Sequence, residues 1–127
     1  MPTDLALRLP TRPGTLVAVA EALARAGVNI DGACGLETGG EGILHVLVAD
    51  AELARRTLLN AGIEIWAEQP VAVLQLENQP GSGAAVLRRV ADAGVNVDLL
   101  YTTLDGRLVL GSDQPGRLRA ALAGPVG

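Results

Sequence analysis

Residues 26–31 read AGVNID and residues 93–98 read AGVNVD. The same polar pair, Asn and Asp two apart between apolar neighbours, thus stands at Asn29 and Asp31 and again at Asn96 and Asp98. Sliding the chain along itself by 67 residues aligns Leu5–Asp31 with Ala72–Asp98 without a gap, and 12 of the 27 positions are identical. Leu7/Leu74, Leu9/Leu76, Pro13/Pro80, Gly14/Gly81, Val19/Val86 and Gly27/Gly94 are among them. A period that long exceeds the roughly 20–50 residues of solenoid units and means a duplicated small domain. The 127 residues therefore divide into modules expected at 1–69 and 70–127, with 67–70 as linker.

Each copy opens with apolar residues that read as a strand, Leu5-Leu7-Leu9 in the first and Val71–Leu76 in the second. Pro-Gly then breaks the strand and opens a helix, with Pro expected in its first turn. Leu16, Val19, Ala20 and Leu23 form the apolar stripe of the first helix, and Val86, Leu87 and Val90 that of the second. Glu21 and Arg25 lie four apart on the wet side. Gly27 and Gly94 stand where a helix needs a left-handed stop.

Second strands are expected over Val28–Cys34 and Val95–Thr103. Gly39-Gly40 and Asp105-Gly106 are hairpin signals leading into Ile43–Val48 and Arg107–Leu110. Asp50 and Asp113 read as N-caps of helices over Ala51–Ala61 and Pro115–Ala123, stopped by Gly62 and Gly124. Ile63–Trp66 gives the first copy a fourth strand. After Gly124 only Pro125-Val126-Gly127 remain, too short for the same strand in the second copy. The order βαββαβ then βαββα predicts an α+β fold, antiparallel sheets with helices on one face.

Composition excludes several functions. Apolar residues make up 49% of the chain, but there is no Phe, and Trp66 and Tyr101 are the large aromatics. Stacking platforms for single-stranded nucleic acid are therefore missing. A net charge of −4 leaves no electrostatic footprint for nucleic acid and no basic face for a membrane surface. Cys34 is the sole cysteine, so no internal disulfide forms and no thiolate metal cluster is expected. The first residues carry Asp4 and Arg8 and no apolar signal core, and no apolar run approaches the ~20 residues that span a bilayer. A cytoplasmic protein is expected.

Alternation along a strand sends Val28 and Ile30 toward the helices, leaving Asn29 and Asp31 on the opposite face, with Asn96 and Asp98 placed alike. The stretches RPGTLVAVAEALARAGVNI (12–30) and NQPGSGAAVLRRVADAGVNV (78–97) resemble the ACT domain, a small regulatory module of amino-acid metabolism, and the resemblance covers almost the whole chain as a tandem pair. It implies a ferredoxin-like sheet and regulation by a bound amino acid, with no catalysis. In serine-sensing pairs of this kind the ligand lies between facing modules. It is held by an Asn three residues before the Pro-Gly glycine and by the Asn of the GVN stretch. Carried over, these are Asn78 and Asn29, and in the less well matched pair Thr11 and Asn96. Leu9 and Leu76 replace the histidine of the serine-sensing pattern, which favours a less polar ligand.

Elementary chemistry supports the same residues. An amino acid needs acceptors for its ammonium and donors for its carboxylate, and one Asn amide offers both. The helix N-termini after Pro13-Gly14 and Pro80-Gly81 suit the carboxylate. Expected ligand-binding residues are therefore Thr11, Pro13, Gly14, Asn29, Asp31, Asn78, Pro80, Gly81, Asn96 and Asp98, with no cofactor and no metal. His45 is expected as a packed or interface residue, Cys34 as a buried hydrophobe, Trp66 as packing for the fourth strand and Tyr101 as helix-facing core. Arg55-Arg56 and Arg88-Arg89 read as solvated helix faces. No nucleophile–base pair is apparent. The leading reading is an amino-acid-binding regulatory module, with a regulatory subunit gripping a catalytic partner as the alternative. A homodimer is expected to cover the edge strand Val71–Leu76.

Overall fold

The computed structural model describes residues 2–123. The chain divides after Gln69 into two compact units. The first runs β1 (Thr3–Pro10), α1 (Thr15–Arg25), β2 (Gly32–Thr38), β3 (Glu41–Val48), α2 (Ala51–Asn60) and β4 (Glu64–Pro70). The second runs β5 (Ala72–Leu74), α3 (Ser82–Asp92), β6 (Leu99–Thr102), β7 (Leu108–Gly111) and α4 (Pro115–Leu122). Strand order is β2-β3-β1-β4 in the first sheet and β5-β7-β6 in the second. The pairs β1–β3, β2–β3, β5–β7 and β6–β7 are antiparallel. The α+β, ferredoxin-like order is thus present twice, and among the described residues the second copy has no fourth strand. The expected stop at Gly124 and the tail at 125–127 lie outside the described residues.

Alternation builds each core. Leu5, Leu7 and Leu9 of β1 and Val46 and Val48 of β3 face α1 and α2, where they meet Val19, Leu23, Ala54 and Leu58. In the second unit Leu108 and Leu110 of β7 meet Val86 and Val90 of α3 and Leu118 of α4. The buried stripe of α1 is Val19, Ala22 and Leu23, so Leu16 and Ala20 do not belong to it. Leu16 is 61% exposed and Leu87 38%. Glu21 and Arg25 pair on the wet side as expected, at 3.6 Å.

Both first helices end alike. Gly27 N–H donates to the Ala24 carbonyl and Val28 N–H to that of Leu23; Gly94 and Val95 repeat the bonds to Ala91 and Val90. This Schellman geometry turns the chain out of the helix before any ladder can start. β2 therefore begins at Gly32 and not Val28, and β6 at Leu99 and not Val95. Val28 nevertheless joins the core and Ile30 packs against it, leaving Asn29 exposed.

Other expectations shift for local reasons. β4 continues through Pro70, so residues 67–70 form strand in place of a linker, and β5 shrinks to three residues. Asp50 caps α2 by accepting from Leu53 N–H at 3.0 Å. Asp113 caps nothing: Gln114 is the N-cap, Pro115 opens α4, and Ser112 Oγ accepts from Gln114 N–H at 3.1 Å. Arg55 is no idle surface charge. It makes a two-pronged bond to Glu68 (2.6 and 2.7 Å) that ties α2 to β4. That bond holds the Glu68 carboxyl below its ordinary range. Trp66 is 55% exposed, with the Arg8 guanidinium 5.4 Å above its ring. No helix of the described residues is long and apolar enough to cross a membrane.

Candidate ligand-binding site

The two Pro-Gly sequences build the same turn. Pro13 and Pro80 take the second position, and Gly14 and Gly81 the third with φ of 92° and 93°. Thr15 N–H reaches back to the Arg12 carbonyl at 3.4 Å and Ser82 N–H to that of Gln79 at 3.3 Å. These are type II turns, which place glycine where a side chain would be strained. Proline therefore precedes the helix, and the expectation that it sits in the first turn is corrected. Gly14 and Gly81 are the N-caps, neither offers a side-chain cap, and no acid stands in either first turn. The positive ends of α1 and α3 remain open to an anion.

Two clefts flank the turn of the first unit. One, of about 630 Å³, is bounded by Pro13, Gly14 and Thr15 on one side and by Gly62, Ile63 and Glu64 on the other. It carries Arg8, Arg12, Glu41 and Glu64. Arg8 Nε lies 3.4 Å from Glu41 and 3.6 Å from Glu64, so charges of both signs stand within reach of one small molecule. The other, of about 460 Å³, lies under the first turn of α1 and includes Thr11, Thr15 and Leu16 with parts of β2 and β3. Thr11 Oγ1 donates to the Gly40 carbonyl at 3.4 Å, joining the turn to the β2–β3 hairpin.

This geometry has a family. The model of an ACT domain pair matches residues 3–123. The chain belongs to the ACT family, as a domain pair. Among solved structures it is similar to protein BT0572 from Bacteroides thetaiotaomicron, with 24% identity, a TM-score of 0.84, and coverage of 94% of this chain and 85% of that one. It is also similar to the regulatory subunit of aspartate kinase from Thermus thermophilus, with 23% identity, a TM-score of 0.70, and coverage of 94% and 89%. The corresponding subunit from Thermus flavus gives 22% identity, a TM-score of 0.67, and coverage of 94% and 90%. No curated protein matches.

The ACT pair gathers the expected residues into separate groups. Thr11, Pro13 and Gly14 surround the clefts of the first unit. Asn78, Pro80 and Gly81 form the exposed equivalent turn of the second. Asn29 and Asp31 sit at the other end of α1, whose 11 residues separate the ends by about 16 Å. Within one module the two motifs cannot grip one small ligand. Asn29 Nδ2 donates to Asp31 Oδ1 at 2.6 Å. The Asp31 N–H donates to the Leu47 carbonyl at 2.9 Å, and that of Asp98 to Gly111 at 3.0 Å. Both aspartates thus start their ladders. Asn96 and Asp98 are exposed.

Sequence reasoning missed the charged lining. Arg8, Glu41 and Glu64 come from three strands, and only Arg8 on the outward parity of β1 gave a hint. It also missed a cluster on the helix-free face. His45 Nδ1 lies 2.7 Å from Asp4 Oδ2, with the Asp4 side chain 2% exposed, and the register sets Cys34 directly across from His45. Cys34 is half-buried, not fully buried as expected. Tyr101 is buried but opposite Val109, on the face away from Leu108 and Leu110. Its helix-facing placement fails because residues 95–98 are not strand, so the alternation does not carry from Val95 and Val97 to Tyr101. Among the described residues no three His, Cys, Asp or Glu side chains gather as a metal site.

Proposed function

We propose that this ACT pair is a non-catalytic regulatory protein that binds a free amino acid at its Pro-Gly turns and passes occupancy to a catalytic partner. The observation that carries the reading is the cleft beside Pro13-Gly14. There Arg8 and Arg12 stand with Glu41 and Glu64 next to an uncapped helix end. A zwitterion asks for that combination, carboxylate against guanidinium and N–H groups, ammonium against carboxylates. Regulatory subunits of aspartate kinase share this fold, and the catalytic partner is proposed by analogy with them. Asn78, Pro80 and Gly81 serve as the counterpart turn. Asn29, Asp31, Asn96 and Asp98 are the further proposed contacts, and a homodimer in the cytoplasm is the proposed working form.

A thermal-shift screen of the twenty amino acids tests this. Binding to the folded state alone adds about 2.7 kcal/mol at a hundredfold excess over Kd, so one or a few amino acids should raise Tm at millimolar concentration. Arg12→Gln should weaken the ligand about five- to hundredfold with the fold intact, and Asn29→Ala and Asn78→Ala should do so only where a second protomer brings those residues to the cleft. A flat screen with silent calorimetry removes ligand sensing and leaves the regulatory-subunit reading in front.

A further inference from the structure

The 460 Å³ cleft beneath α1 has two tightly packed glycines, Gly35 and Gly42, in its lining. Leu9 pairs with Gly42, Gly42 with Glu37, and Gly35 with Leu44. Leu9 and Leu44 pack against the helices, so Gly35 and Gly42 present their bare backbones to the same side. A Cβ at Gly35 would meet Leu44 Cδ1 at 3.3 Å, and one at Gly42 the Leu9 carbonyl oxygen at 3.3 Å. The floor is therefore closed and set low, and α1 overhangs it. Leu16 sits on that overhang, lining the cleft while 61% exposed.

The cavity wall is aliphatic, with Leu9, Leu16 and Leu44 and the methyl-bearing Thr11 and Thr15. Its only charged lining residues are Arg12 and Glu37, one of each sign and both exposed. The structure assigns to this cleft the side chain of an aliphatic α-amino acid, valine, leucine or isoleucine. Its carboxylate meets Arg12 and its ammonium meets Glu37. With Arg12 and Glu37 engaged by the ligand's carboxylate and ammonium, a polar side chain here would meet Leu9 and Leu44 with only the two threonine hydroxyls left to replace its water. An aliphatic one fills a space of the size small-molecule sites use, roughly 300–1,000 Å³. The second module cannot copy the site. Its hairpin pairs Thr102 with Leu108 where the first pairs Gly35 with Leu44, so a threonine replaces one bare glycine and the strand ends before a counterpart of Glu37.

This inference rests on the amino-acid-binding reading above; Arg12 borders both clefts, so the carboxylate stays where that reading puts it, while the side chain enters the aliphatic cleft and Glu37 takes the ammonium in place of Glu41 and Glu64. Isothermal titration of the whole chain with leucine, isoleucine, valine, phenylalanine, serine and aspartate tests it, on wild type, Leu16→Asn and Leu104→Asn. Leu16 and Leu104 are both exposed, at 61% and 86%, so neither variant should disturb the fold, which circular dichroism confirms. The expected result is binding of an aliphatic amino acid, about tenfold or more weaker in Leu16→Asn and unchanged in Leu104→Asn. Tighter binding of serine, aspartate or phenylalanine, or equal aliphatic binding by wild type and Leu16→Asn, overturns the assignment while amino-acid sensing stands. No binding of any amino acid removes both.

Discussion

β1 lies between β3 and β4, whereas β5, its duplicate, has β7 as its one neighbour among the described residues. The two strands descend from the same template, and the turns and helices that follow them are nearly superposable in their bonding. What differs most is the hairpin and the strand after the repeated segment. The first unit carries a hairpin whose strands close on Gly39 and Gly40, both at positive φ, and a seven-residue β4. The second has four-residue strands joined through residues 103–107. Among the described residues, ten buried side chains make the first core and six the second. The longer hairpin supplies Gly35, Glu37 and Gly42, and β4 supplies Glu64, so the clefts belong to the elaborated copy. The duplicated segment builds a generic anion-friendly turn. The elaboration makes it a pocket.

The largest expected consequence concerns mass. β5 holds Ala72, Val73 and Leu74, with no Lys or Pro among them to discourage pairing. A second chain should cover that edge, giving twice the 13.0 kDa of one chain by light scattering at micromolar concentration. A strict monomer with no concentration dependence would end the dimer and imply that the chain manages the edge itself.

Next comes the pair of matched leucines. Leu7 is fully buried on a strand with two neighbours, and Leu74 is half-buried on the edge. Leu7→Ala should cost about 2–5 kcal/mol in urea unfolding, the usual range for a core leucine. Leu74→Ala should cost about 1–2 kcal/mol, since less apolar area is lost and the edge can relax. Equal costs would show the two cores to be equally tight and the contrast between the copies to be superficial.

Much of this was legible because the decisive signals are local. Pro-Gly, Gly27 and Gly39-Gly40 each dictate their turn through φ alone, and each turn appeared where its residues stood. The misplaced features depend on contacts between distant residues. No window of sequence shows that Asp31 N–H will find the Leu47 carbonyl and so start β2 at Gly32. None shows that Arg55 will reach Glu68, or that Leu16 will overhang two glycines. One signal was available and unused. Once Gly39-Gly40 is a two-residue turn, the register places Cys34 opposite His45 and Gly42 opposite Glu37 by counting back from it. Counting would also have shown two glycines on one face of the hairpin, a mark of close approach by neighbouring groups.

The smallest effect isolates β4, the element without a counterpart among the described residues of the second unit. Arg55 and Glu68 are joined by two short bonds yet remain about one-third exposed, so water screens them and the pair should contribute little. The bond from Arg55 lowers the Glu68 pKa from its ordinary 4.5. A carboxyl whose folded pKa is depressed stabilises the fold above its unfolded value and loses that contribution as pH falls through the folded one. Glu68→Gln should therefore be slightly less stable than wild type at pH 7, and the gap should close as the solution is taken below about pH 4. Thermal unfolding at stepped pH reads this directly. A gap that persists unchanged in acid would mean that the amide disturbs the packing of β4. The strand would then be held by its apolar contacts, Ile63 and Ile65 against the core, with the ion pair as a bystander.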